Sequence, residues 1–149
     1  LFGGGLCGGW AGSENFNGSN LVLQHGLLVV TVSYRLGALG FMTGTDPARP
    51  GTGGMNGIFD NVVALRWLQK YVSHFGGDPG QVTIFGQSSG AYSLCTLCVA
   101  PDARGLFKRA GLLSGPCFGG PASRGWGPRS AELGRNVSEQ ILAAHGSGR

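Results

Sequence analysis

The 149-residue sequence carries little charge. Asp, Glu, Lys and Arg make up 12% of it, against roughly 25% in ordinary soluble domains. The net charge is only +4, and Arg104, Lys108, Arg109, Arg124, Arg129, Arg135 and Arg149 are dispersed rather than gathered in one run. A nucleic-acid surface requires a basic stripe with stacking aromatics or a known module, and neither is present, so no nucleic-acid partner is expected. Long hydrophobic runs are missing as well. The longest strongly apolar stretch, Leu27-Leu28-Val29-Val30-Thr31-Val32, is far short of the roughly 20 residues of a spanning helix, and no membrane span is expected. The first residues show neither the basic start nor the cleavage pattern of a secretory leader. No internal repeat appears, and no linker divides the chain into two domains.

Cysteine is scarce. Cys95 and Cys98 form a C-x-x-C, but Cys7 and Cys117 supply no second closely spaced pair to complete a zinc site. Buried thiols on a helix are the expectation, and no metal or cofactor is implied. Asn17-Gly18-Ser19 and Asn136-Val137-Ser138 satisfy the glycosylation sequon, a short pattern frequent by chance that matters only in a secreted chain. Secretion is therefore one option for an otherwise open compartment.

Glycine, by contrast, is abundant, at 30 of 149 residues, well above the usual ~7%. It gathers at residues 3–12, 51–57 and 115–127, where it separates apolar segments and marks loops between packed elements. Hydrophobic residues reach 42%, enough for a core of ordinary size in a single domain.

Residues 27–34 form a continuous apolar and β-branched run, as expected of a central strand buried on both faces. A loop from Thr43 to Gly57 leads to a segment whose apolar positions Ile58, Val62, Leu65, Leu68 and Val72 recur at helical spacing. Gly76-Gly77-Asp78-Pro79 ends that helix. A strand is expected over 81–85, a helix from Ser88 onward, a short strand over 108–114 and a last, polar helix over 129–144. Alternating strands and helices argue for a mostly parallel sheet flanked by helices, with ligands bound beyond the carboxyl ends of the strands.

At one such end stands Gly86-Gln87-Ser88-Ser89-Gly90. A serine hydroxyl becomes a useful nucleophile when a sharp strand-to-helix turn holds it clear of the backbone near donors that can receive an oxyanion. Gly86 and Gly90 remove the side chains that would collide in such a turn. Alone, the pentapeptide reads first as an ordinary Gly-Ser turn, but a strand before it and a helix after it reverse that preference in favour of a nucleophile elbow. Gly3-Gly4-Gly5, after Leu1-Phe2, exposes backbone N–H groups that can turn toward an oxyanion. In isolation it would be a flexible linker; a glycine loop followed by G-x-S-x-G is the order of an α/β-hydrolase.

With these residues in hand, the chain resembles the type-B carboxylesterase/lipase family, which includes cholinesterases and bile-salt-activated lipase. The resemblance runs from residue 1 to about 118. It rests on Gly3-Gly4-Gly5, on Val32-Ser33-Tyr34-Arg35-Leu36-Gly37-Ala38-Leu39-Gly40-Phe41, and on Asp60 with Ala64-Leu65-Arg66-Trp67. Phe75-Gly76-Gly77-Asp78-Pro79, Val82-Thr83-Ile84-Phe85-Gly86-Gln87-Ser88, Gly105-Leu106-Phe107-Lys108-Arg109-Ala110 and Ser114-Gly115 continue it in order. The resemblance implies the N-terminal portion of an α/β-hydrolase fold and a serine hydrolase acting on a small-molecule carboxylic ester. Ser88 would be the nucleophile, and the N–H groups of Gly4, Gly5 and Ser89 the oxyanion hole. The chain departs from the family in two places: Phe2 where His, Tyr or a similar residue is usual, and Gln87-Ser88-Ser89 where Glu-Ser-Ala is usual.

In this fold the triad acid and His follow the serine. His25 and His74 precede Ser88 and match no catalytic motif, which leaves surface or helix-end positions for both. His145, with Glu132 or Glu139, lies in the permitted order but close to a Gly/Ser-rich end. The expectation is therefore that residues 1–149 are a partial domain truncated at both ends, inactive alone, with acid and base outside it. The alternative is a non-catalytic, cholinesterase-like domain for adhesion or partner binding.

Overall fold

In the computed structural model, residues 1–44, 53–115, 117 and 131–146 are described. In chain order the elements are α1 (Ser19–His25), α2 (Gly37–Phe41), α3 (Asn56–Tyr71), β1 (Thr83–Gln87), α4 (Ser89–Val99), β2 (Arg109–Leu113) and α5 (Ala131–Gly146).

The apolar stripe of α3 does what its spacing requires. Ile58, Val62 and Leu65 are buried, and they form one cluster with Leu97 of α4 and with Ala103. Leu68 packs on the edge of that cluster, and Val72 is buried just past the helix. A turn of 3-10 helix, Val72–Phe75, follows α3 and closes on Gly76 at φ 83°, a left-handed conformation that glycine adopts without a Cβ penalty. The Asp78 carboxylate then accepts the Gly80 N–H at 2.7 Å, and Pro79 opens the short turn that feeds β1.

β1 and β2 pair in parallel, from Thr83 opposite Arg109 to Gln87 opposite Leu113. A parallel pair needs a crossover connection, and α4 lies within it. On the other side of β1, the Leu1 nitrogen donates to Phe85 O at 2.6 Å and Gln87 N donates to Leu1 O at 3.3 Å. One residue bonded to both neighbours of Gly86 is the parallel ladder pattern, so Leu1 continues the sheet for a single step. Ile84 joins the periphery of the α3–α4 cluster and Gly86 is buried, whereas Phe85 on the opposite face is half exposed, at 50%.

Three expectations change. β1 begins two residues later than the apolar run and continues through Gly86 and Gln87, because the ladder to Leu113 carries the extended backbone into the glycine turn. Residues 27–34 have no ladder partner among the described residues, and Leu27, Leu28 and Val30 are exposed. Hydropathy marked a segment that favours burial, but a strand exists only where a neighbour supplies donors and acceptors. Third, Cys95 and Cys98 are not a pair of buried thiols: Cys95 is bonded to Cys117, with Cα atoms 5.2 Å apart, and Cys98 is free and exposed. The short helices α1 and α2 were not expected either. They bury little apolar surface and offered no periodic stripe. α5 matches the polar helix in all but its bounds; residues 129–130 lie outside the described part.

Candidate active site

The chain leaves β1 at Gln87 and enters α4 at Ser89, so Ser88 alone makes the turn. It does so at φ 54° and ψ −123°, a region sparsely populated by residues with a Cβ and held only where the surroundings over-determine it. Those surroundings are specific. The Ser88 N–H donates to Leu113 O at 2.9 Å, and its carbonyl accepts from Ala91 N at 2.9 Å and Tyr92 N at 3.2 Å. A Cβ on Gly86 would lie 2.6 Å from the Gly90 carbonyl, and one on Gly90 would lie 2.7 Å from Phe2 O. Both contacts are to backbone, so neither can be relieved by a side-chain rotation. Gly115 is also required, since a Cβ there would come within 2.6 Å of Ser88 O.

The glycine loop lies against this turn. A Cβ on Gly3 would lie 3.0 Å from Ser88 Cβ and 2.8 Å from Gln87 O. Gly4 and Gly5 follow at φ 129° and 65°, and Gly4 O closes the turn by accepting from Cys7 N at 3.1 Å and Gly8 N at 3.0 Å. Among the described residues no backbone carbonyl accepts the N–H groups of Gly4, Gly5 or Ser89. For Ser89 that follows from its place, since the first N–H groups of a helix have no intrahelical partner.

Behind the loop stands Tyr34, a residue to which the sequence assigned no role. Its hydroxyl donates to Phe2 O at 2.7 Å, and its ring stacks on Phe2 with centroids 4.4 Å apart. Burial pushes the phenol up to about 12, with the neighbouring Ser89 and Ser93 hydroxyls pulling the other way. Ser93 Oγ itself donates to Ser89 O at 3.1 Å. Ser89 Oγ, although buried and close enough to influence the Tyr34 phenol, has no partner within hydrogen-bond geometry among the described residues. One residue further on, Arg35 is fixed to Asp60 through its backbone N–H at 2.9 Å and its guanidinium at 2.8 Å. That pairing outweighs desolvation, which acts the other way, and holds the Asp60 carboxyl below the usual carboxylate range. Phe2 and Tyr34 are buried at 2% and 6% exposure, so the Phe2 departure from the family pattern is a packing residue here.

Ser88 is half-buried, and its Oγ makes no hydrogen bond to a described residue. His25 ends α1, and His74 lies in the turn after α3 with Nδ1 3.3 Å from Tyr71 O; both are exposed. These are the surface and helix-end positions expected of them. His145 falls in the last turn of α5, and its side chain lies outside the described residues. Glu132 and Glu139 are exposed on the same helix. Gly3, Ser88 and Ser89 are thus brought together, and no described histidine or carboxylate is hydrogen-bonded to Ser88.

The carboxylesterase family model matches residues 1–136. The chain belongs to the carboxylesterase family. It is 46% identical over 116 residues to pyrethroid hydrolase Ces2e of Rattus norvegicus, covering 77% of this chain and 19% of that protein. It is 44% identical over 110 residues to cocaine esterase of Oryctolagus cuniculus, covering 74% of this chain and 20% of that one. Among solved structures, the Geobacillus stearothermophilus carboxylesterase EST55 superposes with a TM-score of 0.85 at 37% identity, over 98% of this chain and 29% of that one. The chain thus has the α/β-hydrolase fold, in an N-terminal portion, and spans about a fifth of the length of these curated relatives.

Proposed function

We propose that this chain carries the nucleophile half of a serine hydrolase that cleaves small-molecule carboxylic esters through an acyl-enzyme. Ser88 Oγ attacks the ester carbonyl carbon, the C–O bond to the alcohol breaks, and water then releases the acid from Ser88. The N–H groups of Gly4, Gly5 and Ser89 receive the negative charge that develops on the carbonyl oxygen. Each such donor typically contributes about 3 kcal/mol of transition-state stabilisation. The general base and the carboxylate that orients it come from sequence outside these residues, so the chain alone is inactive. Gln87 leaves a neutral side chain beside the nucleophile, and it removes neither the hydroxyl nor the N–H at Ser89.

One observation carries this reading: Ser88 is held at φ 54° with Gly3 packed against its Cβ. An adhesion domain has no need of a strained serine or of an unobstructed glycine loop beside it. The test is hydrolysis of p-nitrophenyl acetate by the protein made from the complete reading frame that includes these residues. Ser88→Ala is expected to abolish turnover with its fold intact; unchanged turnover would remove Ser88 from the mechanism.

A further inference from the structure

We propose that Asn17 is an N-glycosylation site, occupied in a chain that matures in an oxidising secretory compartment. The two sequons of the sequence are not equivalent once folded. Asn17 and Ser19 are exposed between the Glu14–Phe16 turn and α1. Asn17 Oδ1 accepts the Ser19 N–H at 2.9 Å and the Ser19 hydroxyl at 2.6 Å. Because both partners are donors there, the side-chain oxygen faces the turn and Nδ2 is directed out of it. The amide nitrogen that takes the sugar is accessible, and the hydroxyl the sequon requires is already on the Asn17 side chain.

Asn136-Val137-Ser138 shows the opposite arrangement. It lies inside α5, where residues two apart do not face each other. Ser138 is buried at 3% exposure; its Oγ donates to Gly134 O at 2.9 Å and accepts from Thr43 N at 2.9 Å. Its hydroxyl therefore cannot reach the Asn136 amide without unwinding the helix. A separate observation addresses the compartment. The Cys95–Cys117 disulfide joins α4 to the segment beyond β2, and such bonds persist in secreted proteins and are rare in reducing compartments.

In the transfer, Asn17 Nδ2 bonds to the anomeric carbon of an oligosaccharide carried on a lipid diphosphate. The bond from that carbon to the diphosphate oxygen breaks, the diphosphate leaves with the electron pair, and one amide proton passes to a base on the transferase.

The experiment is expression of the complete reading frame in cultured animal cells, with intact glycopeptide mass spectrometry and non-reducing peptide mapping of Cys95–Cys117. We expect a glycan on the Asn17 peptide, lost in Asn17→Gln and Ser19→Ala, kept in Ser19→Thr and unaffected by Asn136→Gln. Bare Asn17 in molecules that hold the Cys95–Cys117 bond would overturn the proposal. So would a glycan on Asn136 alone, or a chain retained in the cytosol with both cysteines reduced.

Discussion

Residues 27–34 and β1 are built from the same kinds of residue, yet only β1 is held on both sides. Leu1 and β2 flank it, and its last residues run straight into the Ser88 turn. The 27–34 run has no ladder among the described residues and exposes Leu27, Leu28 and Val30. It is fixed at its end, where Tyr34 reaches Phe2 O and Arg35 reaches Asp60. An apolar run thus becomes a strand through its neighbours. The polar residue that closes such a run can still position a site without one.

The largest effect is expected from Gly90→Val. The new side chain would be driven into the Leu1 and Phe2 carbonyls, parting the glycine loop from Ser88 and detaching Leu1 from β1. We expect a loss of about 3 kcal/mol in urea unfolding, the upper range for overpacking a tight site. Tyr34→Phe acts on the anchor of the other run. It keeps the ring stack and leaves Phe2 O buried without its donor, so about 1–3 kcal/mol should be lost. A change within about 0.5 kcal/mol there would mean that the stack, not the hydroxyl, holds the loop. Val30→Thr is expected to do least, because Val30 is 46% exposed and surface changes of this kind stay within about 0.5 kcal/mol. A large loss would show that residues 27–34 are paired in solution.

How much of this was legible in the sequence depended on how local the cause is. The α3 stripe was, since burial at helical spacing is set within one segment. So was the Ser88 turn, where the backbone carbonyls that exclude a Cβ at Gly86 and Gly90 leave glycine as the fitting residue. The Cys95–Cys117 bond was not, because it depends on the segment beyond β2 folding back onto α4. Nor was the role of Tyr34, which joins two segments 32 positions apart in sequence. The sequence motif placed the glycine loop and Ser88 in one family; only the folded chain brings Gly3 against Ser88 Cβ.

We propose that this juxtaposition makes Ser88 the reacting group. Its most direct test is to treat the protein from the complete reading frame with a fluorophosphonate and locate the adduct by peptide mass spectrometry. One adduct is expected, on Ser88, absent from Ser88→Ala. An adduct on another residue, or equal labelling of the two proteins, would contradict it.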